Sequence, residues 1–250
     1  MGIWNSGFLS VRIFWLAIVW AGSLGCANDT VRIDSRDTIT AAGRITARVY
    51  APRAREEEAS ARIVEWTGLT VDGELAYQAA ADRQNVAAGR QVSLDGTTIA
   101  GPTNIRSRAR LIDTTANART GFSVADLFRL EALGGFEILA TETALSGAGL
   151  QTTDRRTFGG VFAGVRAGLR PHEMIEFYGL GSLGFLASAK GDGASLRVTK
   201  LEVGARIMPV EYLGLFAGYR WSDYWQDRDH DESDVDLELY GPVLGLELRF

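Results

Sequence analysis

The stretch that decides the fold class is the segment Tyr240-Gly-Pro-Val-Leu-Gly-Leu-Glu-Leu-Arg-Phe250. Its residues fall into two alternating sets, with Leu244, Leu246, Leu248 and Phe250 on one side and Gly245, Glu247 and Arg249 on the other. Successive side chains of a β-strand point to opposite faces, so a period of two predicts a strand with one apolar and one polar face. On a helix, at about 100° per residue, the same positions would scatter around the axis.

Similar segments recur upstream, separated by turn-rich or charged stretches. The residues at 63–72 are irregular, and the Arg-rich residues 105–119 lack the alternation and are interpreted as a long, partly extended excursion. The pattern predicts an all-β chain that forms a closed antiparallel up-and-down transmembrane β-barrel of ten strands, with eight as the alternative. Upstream of the final strand, the predicted strands are 44–51, 73–82, 90–100, 127–139, 144–153, 159–170, 175–187, 196–207 and 213–221.

The connections differ in length and charge, which predicts the end of the barrel at which each lies. Bacterial barrels of this kind have short periplasmic turns and longer extracellular loops. The short breaks expected on the periplasmic side are 83–89, 140–143, 170–174 and 208–212. The longer or more charged stretches expected on the outer side are 53–72, 101–120, 189–194 and 226–234.

Composition excludes several classes of protein. The 250 residues carry a formal charge of -5 and contain no basic tract, so nucleic acid is not an expected partner. A mean hydropathy of -0.01 is too low for a bundle of membrane helices. The apolar run Ile13–Gly22 is about half the roughly 20 residues that a spanning helix needs, and it follows Arg12, which is typical of an export signal.

These features predict three regions: an export signal at 1–26, a periplasmic lead-in at 27–42 and the barrel at 43–250. The only cysteine, Cys26, closes Ser23-Leu-Gly-Cys26 and fits a lipoprotein signal whose cysteine is acylated. Ordinary cleavage after Ala27 is the alternative. With a single cysteine, no intrachain disulfide can form.

Taken together, the export signal, Ile45-Thr-Ala-Arg-Val-Tyr50, the repeated alternation and the terminal Phe250 resemble the small bacterial outer-membrane β-barrel proteins, of the OmpA-like and porin-like type. The resemblance covers about residues 41–250. It implies a monomer in the bacterial outer membrane, in contact with outer-membrane lipid and lipopolysaccharide. It also implies that Phe250 is the signal read by the barrel-assembly machinery.

The polar face of the predicted strands carries both signs of charge. An unpaired charge in a narrow interior is very costly, so these residues are expected to form a network of paired charges that fills the lumen. We therefore expect a structural or surface-interaction protein, with a narrow porin-like channel for ions or small solutes as the alternative. The predicted inward residues are Arg44, Arg48, Arg129, Glu131, Glu137, Arg166, Glu176, Lys200, Glu202, Arg206, Arg220, Glu247 and Arg249.

One acidic loop offers oxygen ligands at Asp227, Asp229 and Asp231. A calcium loop of the EF-hand type would need glycine where Glu232 stands, and its twelfth position, Glu238, belongs to the last strand. We therefore expect a solvated loop, with no metal and no cofactor.

Enzymatic function is the least favoured reading. A surface hydrolase needs a histidine beside a carboxylate or serine at the outer rim. His172 lies in a predicted periplasmic turn, and His230 lies near Asp223 and Asp227 without an evident serine nucleophile.

Overall fold

The computed structural model of the chain describes residues 31–36, 38–50, 64–227 and 234–250. Strands dominate these residues and no helix is present among them, which confirms the all-β prediction. No helix in the described ranges could cross a membrane. The strands are β1 Val31–Ser35, β2 Ile39–Tyr50, β3 Val64–Val86, β4 Gln91–Leu94, β5 Thr97–Ala100, β6 Thr103–Val124, β7 Phe128–Gly147, β8 Leu150–His172, β9 Ile175–Ser188, β10 Ser195–Val210, β11 Leu213–Asp227 and β12 Val235–Arg249.

The main sheet closes into a ring of nine strands. From β2 through β3 and β6 to β12, each strand pairs antiparallel with the next, and β12 then pairs parallel with β2. The short strand β1 continues the line of β2 along β12, also in parallel. Strands β4 and β5 form a separate hairpin.

The predicted counts of ten and eight strands are both wrong for this ring. An odd number makes the first and last strands run in the same direction, which is why the closing pair is parallel. In the register of this pair, Val243 lies opposite Thr40 and Arg249 opposite Thr46. The predicted lead-in at 27–42 therefore includes β1 and the start of β2, both of which pair with β12.

Two predicted breaks lie inside strands. Residues 105–119 belong to β6, in register with β3 and β7 along their length. Residues 140–143 belong to β7, and the chain turns instead at Ala148 and Gly149, which both have positive φ. The irregular stretch 63–72 is largely the first part of β3.

The two ends of the ring carry different connections. The turns 125–127, 173–174 and 211–212 lie at the same end as Phe250, where β2 ends and β3 begins. The β4–β5 hairpin, the turn at 148–149 and the loop 189–194 lie at the opposite end. The start of β3 therefore lies at the same end as 170–174 and its end, near 83–89, lies at the opposite end, which reverses the prediction for 83–89. The connections 189–194 and 208–212 lie at opposite ends, as predicted.

Along several of the long strands the inward and outward faces exchange character. On β6, the outward residues Arg106, Arg108 and Arg110 are followed by Ile112, while the inward Leu111 is followed by Asp113. The part of the ring nearer Phe250 has apolar or small outward side chains and a charged interior, and we call it the belt half. The part nearer the β4–β5 hairpin has polar outward side chains and an apolar interior, and we call it the capped half.

Most of the interior of the capped half is an apolar core, and a buried ion pair of Arg156 with Asp154, at 2.8 Å, lies on the inner face of β8. The hairpin contributes Val92, Leu94 and Ile99, which are almost completely buried. They belong to one cluster with residues of the ring strands, including Leu111 and Phe158. Burial of these side chains stabilises this half in the ordinary way of a soluble protein.

Candidate functional site

The charged interior of the belt half is the candidate functional site. It contains all the inward residues predicted from the sequence except Arg48, whose side chain lies outside the described part of the structure. Most of these residues are buried, while Arg44, Arg129 and Arg249 are partly exposed. The predicted residues on the inner face are Arg44, Arg129, Glu131, Glu137, Arg166, Glu176, Lys200, Glu202, Arg206, Arg220, Glu247 and Arg249.

The central group is a closed square of two arginines and two glutamates. Arg44 donates from Nε to Glu74 at 2.6 Å and from Nη2 to Glu202 at 2.8 Å. Arg220 donates to the other oxygens of the same carboxylates, to Glu202 at 2.7 Å and to Glu74 at 2.5 Å. The Tyr178 hydroxyl also donates to Glu202, at 2.6 Å. Each charge thus has two opposite partners, which offsets the cost of burying it.

Lys200 forms a second group at the border with the apolar core. Its Nζ donates to Asp113 and, at 2.8 Å, to Glu137. All three side chains are almost fully buried. One cation therefore pairs with two carboxylates. The preceding inward residue on the same strand is Val198, which belongs to the apolar core.

A third group lies nearer the open end. Arg206 donates two hydrogen bonds to Glu247, at 2.9 and 2.7 Å, and a further one to Glu176. Arg166 donates to Glu176 at 2.9 Å, and Arg249 donates to Glu247 at 2.8 Å. Carboxylates alternate with guanidinium groups, so the chain of contacts crosses from β8 to β12.

The interior also holds cation–aromatic contacts. The guanidinium carbon of Arg44 lies 4.0 Å from the centroid of the Phe216 ring, and that of Arg166 lies 5.1 Å from the centroid of Tyr178. Planar guanidinium groups stack well on aromatic rings, and such contacts are stronger when water is excluded. These arginines are therefore held both by charge and by stacking.

Two open volumes remain in the belt half. A cavity of about 70 Å³ lies among the central charges and borders Arg44, Glu74 and Arg220. A larger recess of about 520 Å³ opens at the Phe250 end and is lined by Arg119, Arg129 and other residues. At the other end of the ring the apolar core occupies the interior. The arrangement can hold water and small polar solutes near one mouth, and the apolar cluster lies between this recess and the other end of the ring.

Sequence reasoning missed several members of this network. Asp113 and Arg119 fall in the stretch interpreted as an excursion, and Asp72 lies in the irregular stretch before the second predicted strand. Arg119 pairs with Asp72 at 2.8 Å and with Glu131 at 3.3 Å. The signal was present in the alternation Asp113, Thr115, Asn117, Arg119, whose intervening residues are uncharged.

The other candidate sites gain no partners. His172 is exposed at the end of β8, where its Nδ1 accepts a hydrogen bond from the Met174 amide at 3.2 Å. His230, Asp229, Asp231, Glu232 and Cys26 lie outside the described residues. Within the described ranges, no group of three or more histidine, cysteine, aspartate or glutamate side chains is arranged to hold a metal ion.

Comparison with known proteins finds no family model, no curated protein and no solved structure that matches this chain.

Proposed function

We propose that this chain is an integral β-barrel of the bacterial outer membrane, with a structural or surface-interaction role and an interior filled by its own side chains. One observation carries the proposal: the belt half presents apolar side chains outward from the strands of the ring while its interior is charged. Phe136, Phe185 and Leu246, for example, are more than half exposed. Soluble monomers rarely expose a continuous apolar surface of this extent, and lipid tails are its natural contact.

The height of this apolar surface supports the proposal. On β11 it extends from Leu213 to Trp221, and eight steps at about 3.3 Å give roughly 26 Å along the strand. A strand tilt near 40° reduces this to about 20 Å of depth, close to the apolar band of roughly 25 Å in outer-membrane barrels. Trp221 and Tyr240 then lie at the boundary of this surface nearer the capped half, where amphipathic rings are favoured.

In this proposal the Phe250 end faces the periplasm and the capped half projects from the outer surface. The short turns 125–127, 173–174 and 211–212 then lie on the periplasmic side. The export signal at 1–26 would direct the chain there, with acylation at Cys26 and with ordinary cleavage after Ala27 as the alternative. An odd number of strands is a departure from bacterial single-chain barrels, which are even-numbered.

A filled interior fits a structural or interaction role better than transport. The paired charges occupy the belt half and the apolar core with its hairpin occupies the capped half. The alternative, a narrow channel, is favoured only by the recess of about 520 Å³ at one mouth. Ions would need to pass the almost fully buried Leu94, Ile99 and Leu111, where a charge without a partner is very costly.

Heat modifiability and conductance test the proposal. We expect the purified chain, refolded in detergent or lipid vesicles, to migrate differently on a gel before and after boiling, because a closed transmembrane sheet resists detergent until heated. Protein that stays water-soluble without detergent and shows no such shift would exclude the membrane assignment. In planar bilayers we expect no discrete current steps, and regular steps would favour the channel instead.

A further inference from the structure

We propose that an arginine patch on the outer surface of the capped half binds the phosphate groups of lipopolysaccharide. The patch consists of Arg83 on β3, Arg106, Arg108 and Arg110 on β6, and Arg155 on β8. The inference rests on the proposed function, because it takes the apolar belt to lie in lipid, and it adds a specific lipid headgroup and the residues that bind it.

The patch is a compact surface feature because its strands are neighbours. Arg106, Arg108 and Arg110 alternate with the buried Ser107 and Ala109, so all three point outward. In the sheet register Arg83 lies directly opposite Arg106, and Arg110 lies opposite Glu142, which in turn lies opposite Arg155.

The outward neighbours of the patch are small, which leaves room for a headgroup. Arg108 lies opposite Ala81 on one side and Ala144 on the other, and Arg110 also lies opposite Ala79. Thr153 lies opposite Ala144 on the next strand. A ligand can therefore reach several guanidinium groups without displacing a large side chain.

The charges of the patch are poorly balanced within the protein. Glu142 is the only acid in the outward rows of the patch, and it accepts hydrogen bonds from Arg110 at 3.4 Å and from Arg155 at 2.9 Å. Within the described residues, the side chains of Arg83, Arg106 and Arg108 form no ion pair. Like charges directly opposite each other destabilise a sheet, so the facing pair Arg83 and Arg106 favours an anion between them.

The position of the patch indicates that the anion is part of a lipid headgroup. The outward row of apolar or small residues on β6 begins at Ile112, two residues from Arg110. If this row contacts lipid tails, the guanidinium groups lie at the depth of the headgroup phosphates. Arginine binds phosphate through paired, charge-assisted hydrogen bonds, and a row of such groups fits a lipid that carries more than one phosphate. Lipid A, the lipid part of lipopolysaccharide, is such a lipid.

The rest of the capped half does not share this property. On the outer faces of β11 and β12, Asp223, Asp236 and Glu238 lie close together. Arg32 and Arg197 are the cations beside them, and Nη2 of Arg32 lies 3.2 Å from Glu238. Phosphate groups would be repelled from this side, so the proposed binding is restricted to one part of the circumference.

The test compares two charge-matched double variants of the full chain in nanodiscs. The patch variant is Arg106→Gln with Arg108→Gln, and the control is Arg32→Gln with Arg197→Gln, which removes the same charge from exposed positions outside the patch. The nanodiscs contain a zwitterionic phospholipid with bisphosphorylated lipid A or, in a second arm, with phosphatidylglycerol. Lipid molecules retained by the protein are counted by native mass spectrometry.

We expect the wild type and the control to retain lipid A in preference to phosphatidylglycerol. The patch variant should retain at least about tenfold less lipid A, because one lost charge-assisted hydrogen bond corresponds to roughly tenfold in affinity. Equal retention by the patch variant and the wild type would overturn the inference. Displacement of lipid A by millimolar inorganic phosphate would also overturn it, by assigning the site to free phosphate.

The same samples separate failure of this inference from failure of the proposed function. If both variants enter nanodiscs and show the heat-dependent gel shift, but lipid A retention does not depend on the patch, only the inference fails. If the wild type does not enter nanodiscs, both the proposed function and the inference fail.

Discussion

The belt half and the capped half are built from the same strands but bury opposite kinds of side chain. In the capped half, apolar side chains such as Leu111 and Phe158 fill the interior and arginines face outward. In the belt half, the interior is held by ion pairs such as Arg206 with Glu247, and the apolar side chains face outward. A strand keeps its period of two through the border, and only the residue types on its two faces exchange.

This difference shows that the alternation of residue types along a strand does not reveal which face of the strand contacts water. The geometry of a strand dictates that neighbouring residues face opposite sides, whichever side is wet. On β10, inward Val198 is followed by inward Lys200, and outward Thr199 by outward Leu201. A single strand therefore passes from an apolar interior with a polar outer face to a charged interior with an apolar outer face within three residues.

The strongest test of the belt half removes the cation that holds two buried carboxylates. Lys200→Met should lower the free energy of unfolding by about 3–5 kcal/mol, because Asp113 and Glu137 are left without a cation. Urea titration in lipid vesicles measures the loss. Combining Lys200→Met with Asp113→Asn and Glu137→Gln should recover most of it, and Arg197→Met, exposed on the same strand, should change stability by less than about 0.5 kcal/mol. A single variant no more damaging than Arg197→Met would show that the pairing contributes little.

The corresponding test of the capped half truncates the hairpin. Leu94→Ala should cost about 2–5 kcal/mol, because Leu94 is completely buried in the apolar core. The loss should be equal in detergent and in lipid vesicles, since its neighbours are protein. Leu246→Ala on the belt should instead depend on the surrounding amphiphile. Equal dependence for both residues would mean that the hairpin is not packed inside the ring.

Adding a charge to each outer face compares the two surfaces directly. Leu246→Arg should cost about 2–4 kcal/mol in lipid vesicles, the range for arginine on the lipid face of a barrel. Thr199→Arg introduces the same residue on the outer face of the capped half and should change stability by less than about 0.5 kcal/mol. Unfolding in lipid vesicles by urea measures both. Similar costs at the two positions would contradict the position assigned to the belt.

The smallest effect is expected at the parallel pairing of β12 with β2, which closes the ring and which we call the seam. A Cβ at Gly245 would lie 2.2 Å from the carbonyl oxygen of Ala42 and 2.3 Å from the Phe216 ring, so Gly245→Ala should cost about 1–3 kcal/mol by overpacking. Gly43→Ala on β2 is the matched control, because its Cβ would meet nothing within 4 Å. The folded fraction on an unboiled gel measures both, and an equal fraction would argue against a tight seam.

The sequence predicted the belt half better than the capped half. From Gly159 to Leu169 and from Leu244 to Phe250, the outward positions are apolar or small and alternate cleanly, and the structure has strands there. The start of β6 was missed because its outward arginines alternate with Ile105, Ser107 and Ala109, which resembles a charged loop more than a membrane strand. The turn at 148–149 was missed because Ala148 is not a typical turn residue, although its φ is positive.

Local sequence determined that the chain is all-β and that the charged residues in the belt half of β7–β12 share one face, because a period of two depends only on the geometry of consecutive residues. Tertiary structure decided that the ring has nine strands, that it closes in parallel and that a hairpin fills one end. It also decided the partners of each charge, such as Arg44 with Glu202, which lie on β2 and β10. Pairing and closure join residues that are far apart in the chain, and no local pattern specifies which distant strand completes the ring.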